Sequence, residues 1–346
     1  MKQFYHLIVF IALFFLAAES AAQEREDTLS RPQHKSRSKN ILTRVDSILT
    51  LKYRKGGIDT LYLTRPKTKW TFMGRLNISG ANIETEGRDD GKHFISEMTA
   101  DYKSTLSIGV SYLGFSLNAA LNPAKMMGKY RDYELNFNSY GKRFGFDIIY
   151  QDAHNFTGWH ETDGQKRVKL PADMLTLRTL NMNAYYSFNS RRFSYPAAFS
   201  QSYIQRRSAG SFMLAVSGQG QHGSVKDFTD GSDHPQTLDF KMTNIGIGAG
   251  YGYNYVPSPK WLFHISALPT FIVYSNTSMT FGDTRIPLHH HFPEIIITGR
   301  GAIIRQIGNK FFGLSMVYNF TNVGDVESLS VFNTKYRIRC FYGFRL

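Results

Sequence analysis

The chain has 346 residues, of which 42% are hydrophobic, 14% aromatic and 20% charged, and its formal net charge is +14. The only long apolar run, Leu7–Ala18, is shorter than the roughly 18–20 residues of a membrane-crossing helix, so a helical bundle in the bilayer is excluded. A single cysteine, Cys340, likewise excludes an internal disulfide framework and a cysteine-based zinc site.

Residues 1–22 read as an export signal. Lys2 supplies the positive start, Leu7–Ala18 the apolar stretch and Ser20-Ala21-Ala22 the small-residue cleavage site, so the mature chain begins at Gln23. No cysteine follows that site, and a lipid anchor is not indicated. Export also argues against nucleic acid as a partner, in spite of the positive charge.

Residues 23–68 form a basic periplasmic segment. Between Gln23 and Lys69 twelve Lys and Arg face five Asp and Glu, so about half of the net charge lies here. Residues 23–39 lack hydrophobic periodicity and read as disordered. Ile41, Leu42, Val45, Ile48 and Leu49 then mark one face of a short helix that Gly56-Gly57 ends, and Ile58–Leu63 is a brief extended piece. Such a tail is a solvated segment or an electrostatic contact for anionic headgroups, acidic glycan or a periplasmic protein.

From residue 69 to 346 the period becomes two. Trp70, Phe72, Leu76 and Ile78 alternate with Thr71, Arg75 and Asn77. The pattern returns in Leu106–Tyr112, Phe115–Leu121, Tyr133–Phe137, Phe144–Tyr150, Leu180–Phe188 and Phe212–Val216. It continues in Ile245–Tyr255, Trp261–Ala267, Phe312–Phe320 and Phe332–Leu346, with a weaker strand at Glu294–Ile307. The faces opposite the apolar rows are polar or small: Asn244, Gly246, Gly248, Gly250, Gly252 and Asn254 in one strand, Asn333, Lys335, Arg337 and Arg339 in the last. Aromatics crowd the strand ends at Trp70, Tyr251–Tyr255, Trp261, Tyr342 and Phe344, as in interfacial girdles.

Connections alternate between long and tight, with Glu84–Phe94, Asn122–Arg131, Gln151–Pro171, Gly223–Gln236 and Asn276–Pro293 long. Together these features imply an all-β fold: a transmembrane antiparallel up-and-down barrel of about twelve strands in the outer membrane of a Gram-negative bacterium, with lipid outside it. Tyr342, Phe344 and Leu346 resemble the terminal signal by which barrel-insertion machinery recognises such chains.

One connection, Asn189–Ser208, is long where a tight turn is expected. The run Phe193-Ser194-Tyr195-Pro196-Ala197-Ala198-Phe199-Ser200-Gln201-Ser202-Tyr203-Ile204-Gln205-Arg206-Arg207-Ser208-Ala209-Gly210-Ser211 resembles the central motif of domain-of-unknown-function family 4421, a Bacteroidota family. Asp59-Thr60-Leu61-Tyr62 and Lys69-Trp70-Thr71-Phe72 resemble that family's approach to its first strand. The resemblance implies an exported barrel and no activity. Physically, 196–207 is either a long turn on the rim or a short helix plugging the barrel mouth. In the second case Ala198, Phe199 and Ser202 share one side, and Arg206 and Arg207 pair with lumen carboxylates.

Candidate chemistry is sparse, and no catalytic residue, cofactor site or metal site is assigned. His289-His290-His291 cannot all face one metal from a strand, and reads as a solvated loop. His222 near Ser224, and His154 and His160 near Asp152 and Glu161, lack a motif that fixes nucleophile, base and orienter together. Gly246–Gly252 has no following helix to cradle a phosphate; its glycines make room inside the barrel. Lys335, Arg337, Arg339 and Arg345 form a basic ladder in the lumen opposite Glu134 and Asp147, read as a salt-bridged filling or as an anion-favouring pore. The expected function is a non-enzymatic narrow or plugged pore or envelope scaffold. The alternatives are an enzyme on lipid or surface glycan, and an interaction protein docking a periplasmic partner through its tail.

Overall fold

A computed structural model describes Ser47 and residues 57–346, the latter without 90, 113–114, 122–132, 155, 165, 173, 229–235, 282–283, 289–292 and 326–328. The export signal, most of the basic segment (23–46 and 48–56) and His289–His291 lie outside the described residues. The compact unit that carries the strands runs from Gly56 to Leu346.

In chain order the first strands are β1 (Leu63–Thr64), β2 (Trp70–Asp89), β3 (Lys92–Ala100), β4 (Lys103–Tyr112) and β5 (Phe115–Leu121). Then come β6 (Tyr133–Tyr140), β7 (Phe144–Ala153), β8 (Phe156–Thr162), β9 (Val168–Leu170) and β10 (Leu175–Ser187). A five-residue helix α1 (Tyr195–Phe199) and the short β11 (Ile204–Gln205) precede β12 (Ala209–Phe228), β13 (Gln236–Ser258) and β14 (Trp261–Phe281). The chain continues with β15 (Thr284–Leu288), β16 (Ile295–Ile307), β17 (Lys310–Asp325) and β18 (Leu329–Arg345).

Twelve of these strands form one antiparallel circuit in the order β5-β4-β2-β18-β17-β16-β14-β13-β12-β10-β7-β6. The sheet curls until its ends, β5 and β6, lie side by side. This is the expected up-and-down barrel, with the expected strand number. The β18–β2 ladder joins the two halves of the sequence, running from Arg345↔Thr71 to Leu329↔Gly87.

Alternation decides which side chains point outward, because successive residues of a strand face opposite sides. Leu76, Ile78, Leu106, Ile108, Phe137, Phe146, Leu214, Ile247, Ile265 and Leu314 are all exposed. Phe212 at 70% and Ile265 at 69% show how fully the outer wall presents apolar surface, far beyond what a water-facing wall carries. The partner faces are buried: Arg75, Asn77 and Ser79 on β2, Ser211 and Ser217 on β12, Asn244 and Asn254 on β13.

Several long loops expected from sequence contain strand. β2 and β3 pair through Asp89↔Lys92, and β14 continues to Phe281 and pairs with β15. Beyond the apolar band the outward residues turn polar (Glu84, Glu86, Arg88), which hides the ladder from an apolar–polar alternation. Past the shorter β4, β5 and β6, the wall is completed by β3 pairing with β8.

Candidate functional site: a plug in the barrel lumen

The long connection after β10 turns back into the barrel. Ser194 adopts extended backbone (φ −130°, ψ 106°), its hydroxyl accepts from Ala197 N at 3.2 Å, and Pro196 sits in the first turn, so α1 starts there. Every residue of α1 is buried, with Tyr195 1% exposed and the preceding Phe193 fully covered. The helix ends earlier than the expected 196–207, at Phe199, because Gln201 takes φ 59°. Gln201 earns that geometry through its amide, which donates to Ala197 O at 2.6 Å.

The aromatic side chains of the plug meet a buried cation. Arg300 on β16 forms an ion pair with Asp147 on β7, across the lumen. Tyr140 completes the group: its hydroxyl donates to Asp147 at 2.6 Å and accepts from Arg300 at 3.2 Å. The Arg300 guanidinium lies 5.6 Å from the ring of Tyr195, 5.8 Å from Phe199 and 5.9 Å from Tyr140. Tyr195 also packs 4.5 Å from Tyr185 and 4.9 Å from Phe199. Gly252 of the glycine row faces this layer; a Cβ there would come within 3.0 Å of Phe193. Gly248 and Gly250 instead approach backbone of the neighbouring strand, at Pro269 O and Ala267 O, so only part of the row makes room for the plug.

A second network fixes the plug from the side. Asn254 donates to Ser194 O and to Gln205 Oε1, each at 2.9 Å, and Gln205 also accepts from Ser194 N at 3.1 Å. Gln205 in turn donates to Arg192 O at 2.6 Å and Arg207 O at 2.9 Å. β1 pairs with β11 through Leu63↔Gln205 and Thr64↔Ile204. Asp59 binds Arg192 at 3.1 Å, and Arg192 lies 5.1 Å from the Tyr62 ring. Two of the three stretches that carry the family resemblance, Asp59–Tyr62 and the central motif, are therefore one structural piece.

The side chains of the basic ladder meet partners that only in part are Glu134 and Asp147. Arg337 pairs with Glu134 and donates to Asn136 at 3.0 Å. Arg339 donates to Asn77 at 2.8 Å. Arg345 reaches the plug, donating to Gln306 at 2.8 Å and to both Gln201 oxygens at 3.3 Å. Asp147 serves Arg300 and not the ladder. Arg206 and Arg207 are exposed, so the expected pairing with lumen carboxylates is corrected: the chain turns at Gln201, and β11 then carries these side chains out to the rim. Tyr203 and Pro196 are buried in the plug. Tyr342, Phe344 and Leu346 face outward, with Phe344 5.4 Å from Phe72.

Beside Lys335 of the ladder lies a recess of about 10 Å³, room for about one water, lined by Asn181, Asn183, Ser217, Gln219, Asn319 and Asn333. Farther out an apolar cluster of Ala81, Ile83, Ala153, Phe156, Leu175 and Leu177 fills the mouth.

Of the histidines weighed from sequence, His222 lies 3.9 Å from Asp239, and His154 contacts Asp152 at 3.1 Å and Thr176 at 3.3 Å. His160 shares bonds with Ser96 at 2.6 Å and Thr162 at 3.0 Å. The trio that sequence reading missed lies elsewhere. Asn254 Oδ1 accepts from His264 Nδ1 at 2.7 Å, which leaves Nε2 to accept from Ser266 Oγ at 3.0 Å; Tyr195 OH adjoins Ser266 at 3.1 Å. The three side chains are thus hydrogen-bonded in series, on two paired strands. The only signal for them is the spacing His264-Ile265-Ser266, which puts two side chains on one face of a strand. All three are buried under the plug.

A family model described as a domain of unknown function (DUF4421) matches residues 57–346. Among solved structures, the outer membrane protease OmpT from Escherichia coli aligns with a TM-score of 0.41 at 7% identity, over 81% of this chain and 97% of that one. The translocator domain of autotransporter NalP from Neisseria meningitidis aligns at 0.32 and 9% identity, over 89% and 98%. OprG from Pseudomonas aeruginosa aligns at 0.27 and 10% identity, over 81% and 98%. A search among curated proteins found no match.

Proposed function

The chain belongs to the DUF4421 family of unknown function, and on that premise we propose that it is a plugged, non-enzymatic outer-membrane barrel, shut at rest. The observation that carries this reading is the layer of Arg300, Asp147, Tyr140, Tyr195 and Phe199, which fills the lumen from wall to wall. The apolar outer wall supports lipid as its surroundings. Residues 1–22 act as the cleaved export signal of a Gram-negative protein, and Tyr342, Phe344 and Leu346 address the insertion machinery. The basic segment 23–68 is the docking point for a periplasmic protein. Planar-bilayer recording tests the plug: wild type gives no steady conductance, and Tyr195→Ala with Phe199→Ala, combined with Leu177→Ala in the far cluster, conducts. Once open, the pore prefers anions, and Arg337→Gln with Arg339→Gln removes that preference. A steadily conducting wild type overturns the reading, whereas a silent plug variant removes the pore and leaves an envelope scaffold.

A second reading, an acyl hydrolase acting on lipid, is favoured by the Ser266–His264–Asn254 geometry. It requires the plug to leave, since Tyr195 covers Ser266. Labelling by a fluorophosphonate that disappears in Ser266→Ala supports it; wild-type protein that never labels removes it.

A further inference from the structure

The plug-end rim is rich in cations. At the plug end, Lys142 and Arg143 occupy the turn after β6, and Arg191, Arg192, Arg206 and Arg207 flank the plug. Lys260 lies in the next turn around the circumference, and Lys310 opens β17 just after the one beyond it. Among the described residues of these turns and of 57–69, Asp59 is the one side-chain carboxylate, and Arg192 takes it. Burial and the like charges of Arg143, Arg65 and Arg191 hold the Lys142 amine below its ordinary pKa, a sign of cations crowded without enough counter-charge.

A belt of outward aromatics lies immediately inside this rim. Trp70 stands 4.5 Å from Tyr112, Phe144 4.9 Å from Tyr186, and Phe212 5.1 Å from Tyr251. Trp261 stands 5.9 Å from Phe263, and the guanidinium of exposed Arg305 lies 5.3 Å from the Trp261 ring. Arg305 belongs to the outer wall, not to the lumen, so one rim cation already lies along the face that meets lipid. Trp and Tyr settle at headgroup level, which brings cations just beyond them within reach of headgroup phosphates.

We propose that the plug-end rim is a binding ring for anionic lipid headgroups. The spread of cations around the circumference, and the place of Arg305 beside the aromatic belt, fit a surrounding lipid layer better than a protein docked on one side. Headgroups bound there would offset the rim's positive charge and fix the depth at which the plug end sits. This inference rests on the membrane-spanning reading above.

The test uses the full barrel with Trp70→Phe and Trp159→Phe, which leaves Trp261 as the only reporter, in vesicles of phosphatidylcholine with added brominated lipid. Brominated phosphatidylglycerol is expected to quench Trp261 with about threefold higher relative affinity than brominated phosphatidylcholine at low salt. The preference should vanish in high salt, and also in Arg305→Gln with Lys260→Gln and Lys310→Gln. A heat-shifted gel band checks that the variant folds, and the salt titration of the parent protein stands by itself if it does not. Equal quenching by both lipids at low salt overturns the proposal, as does a preference untouched by salt. Equal quenching joined to retention on an immobilised polyglutamate surface reassigns the rim to an acidic protein partner. Absence of quenching by either lipid instead overturns the membrane reading itself.

Discussion

At the plug end the lumen is filled by a segment brought in from between two strands, whereas at the far end it is filled by the strands' own side chains. The plug end depends on buried charge and amides: Arg300 with Asp147, Gln205 with Asn254, Arg345 with Gln201. The far end depends on Ile83, Leu175, Leu177 and Val225, packed without polar partners. A buried ion pair contributes little net stability but is costly to break singly, whereas an apolar cluster loses stability in proportion to the volume removed. The plug end is therefore specified by matching partners, and the far end by filling space.

Substitutions at the two ends should separate these two kinds of seal. The largest effect is expected from Asp147→Ala, which strands the Arg300 guanidinium in the lumen. Urea unfolding of the barrel in lipid should show a loss of about 4 kcal/mol, and a loss as small as that of an exposed substitution would deny the ion pair its role. Leu177→Ala at the far end should cost about 3 kcal/mol in the same measurement. It should also leave the wild-type absence of conductance intact; a steady current from this variant would show that the far cluster and not the plug closes the lumen. Gln205→Ala removes acceptors and donors for Ser194, Asn254, Arg192 and Arg207, at a cost of about 2 kcal/mol. Limited proteolysis should then cut 189–208 faster while the strands stay protected. The smallest change, about 1 kcal/mol, is expected for Ser194→Ala, which removes the cap of α1. Unchanged protease sensitivity in both plug variants would mean that the aromatic layer alone holds the segment.

Sequence periodicity found the outer wall because lipid and lumen impose opposite demands on successive residues. Leu76, Ile78, Ile247, Leu314 and Ile338 all lie on the face their alternation indicates. It also placed Lys335, Arg337, Arg339 and Arg345 inside, and the Arg337–Glu134 pair joins residues that were expected to oppose one another. Arg300 escaped because it sits in the strand with the weakest pattern, where Gly299 and Gly301 occupy the outward positions. Local spacing leaves 196–207 open between a long turn and a short helix, and the structure has a helix only to Phe199. The stop at Gln201 depends on partners from β16 and β18 that local spacing cannot indicate. Ser266–His264–Asn254 was invisible for the same reason: strand pairing, not sequence proximity, brings Asn254 opposite His264.

The contact between Arg345 and Gln201 has a consequence for the order of events during assembly. Arg345 lies on β18, the strand that joins the two halves of the circuit by pairing with both β17 and β2. Gln201 lies in the connection between β10 and β12, synthesised long before. This contact can therefore form only once β18 is in place, whereas the plug's bonds to Asn254 do not need it. The Arg345 latch thus reports completion of the wall.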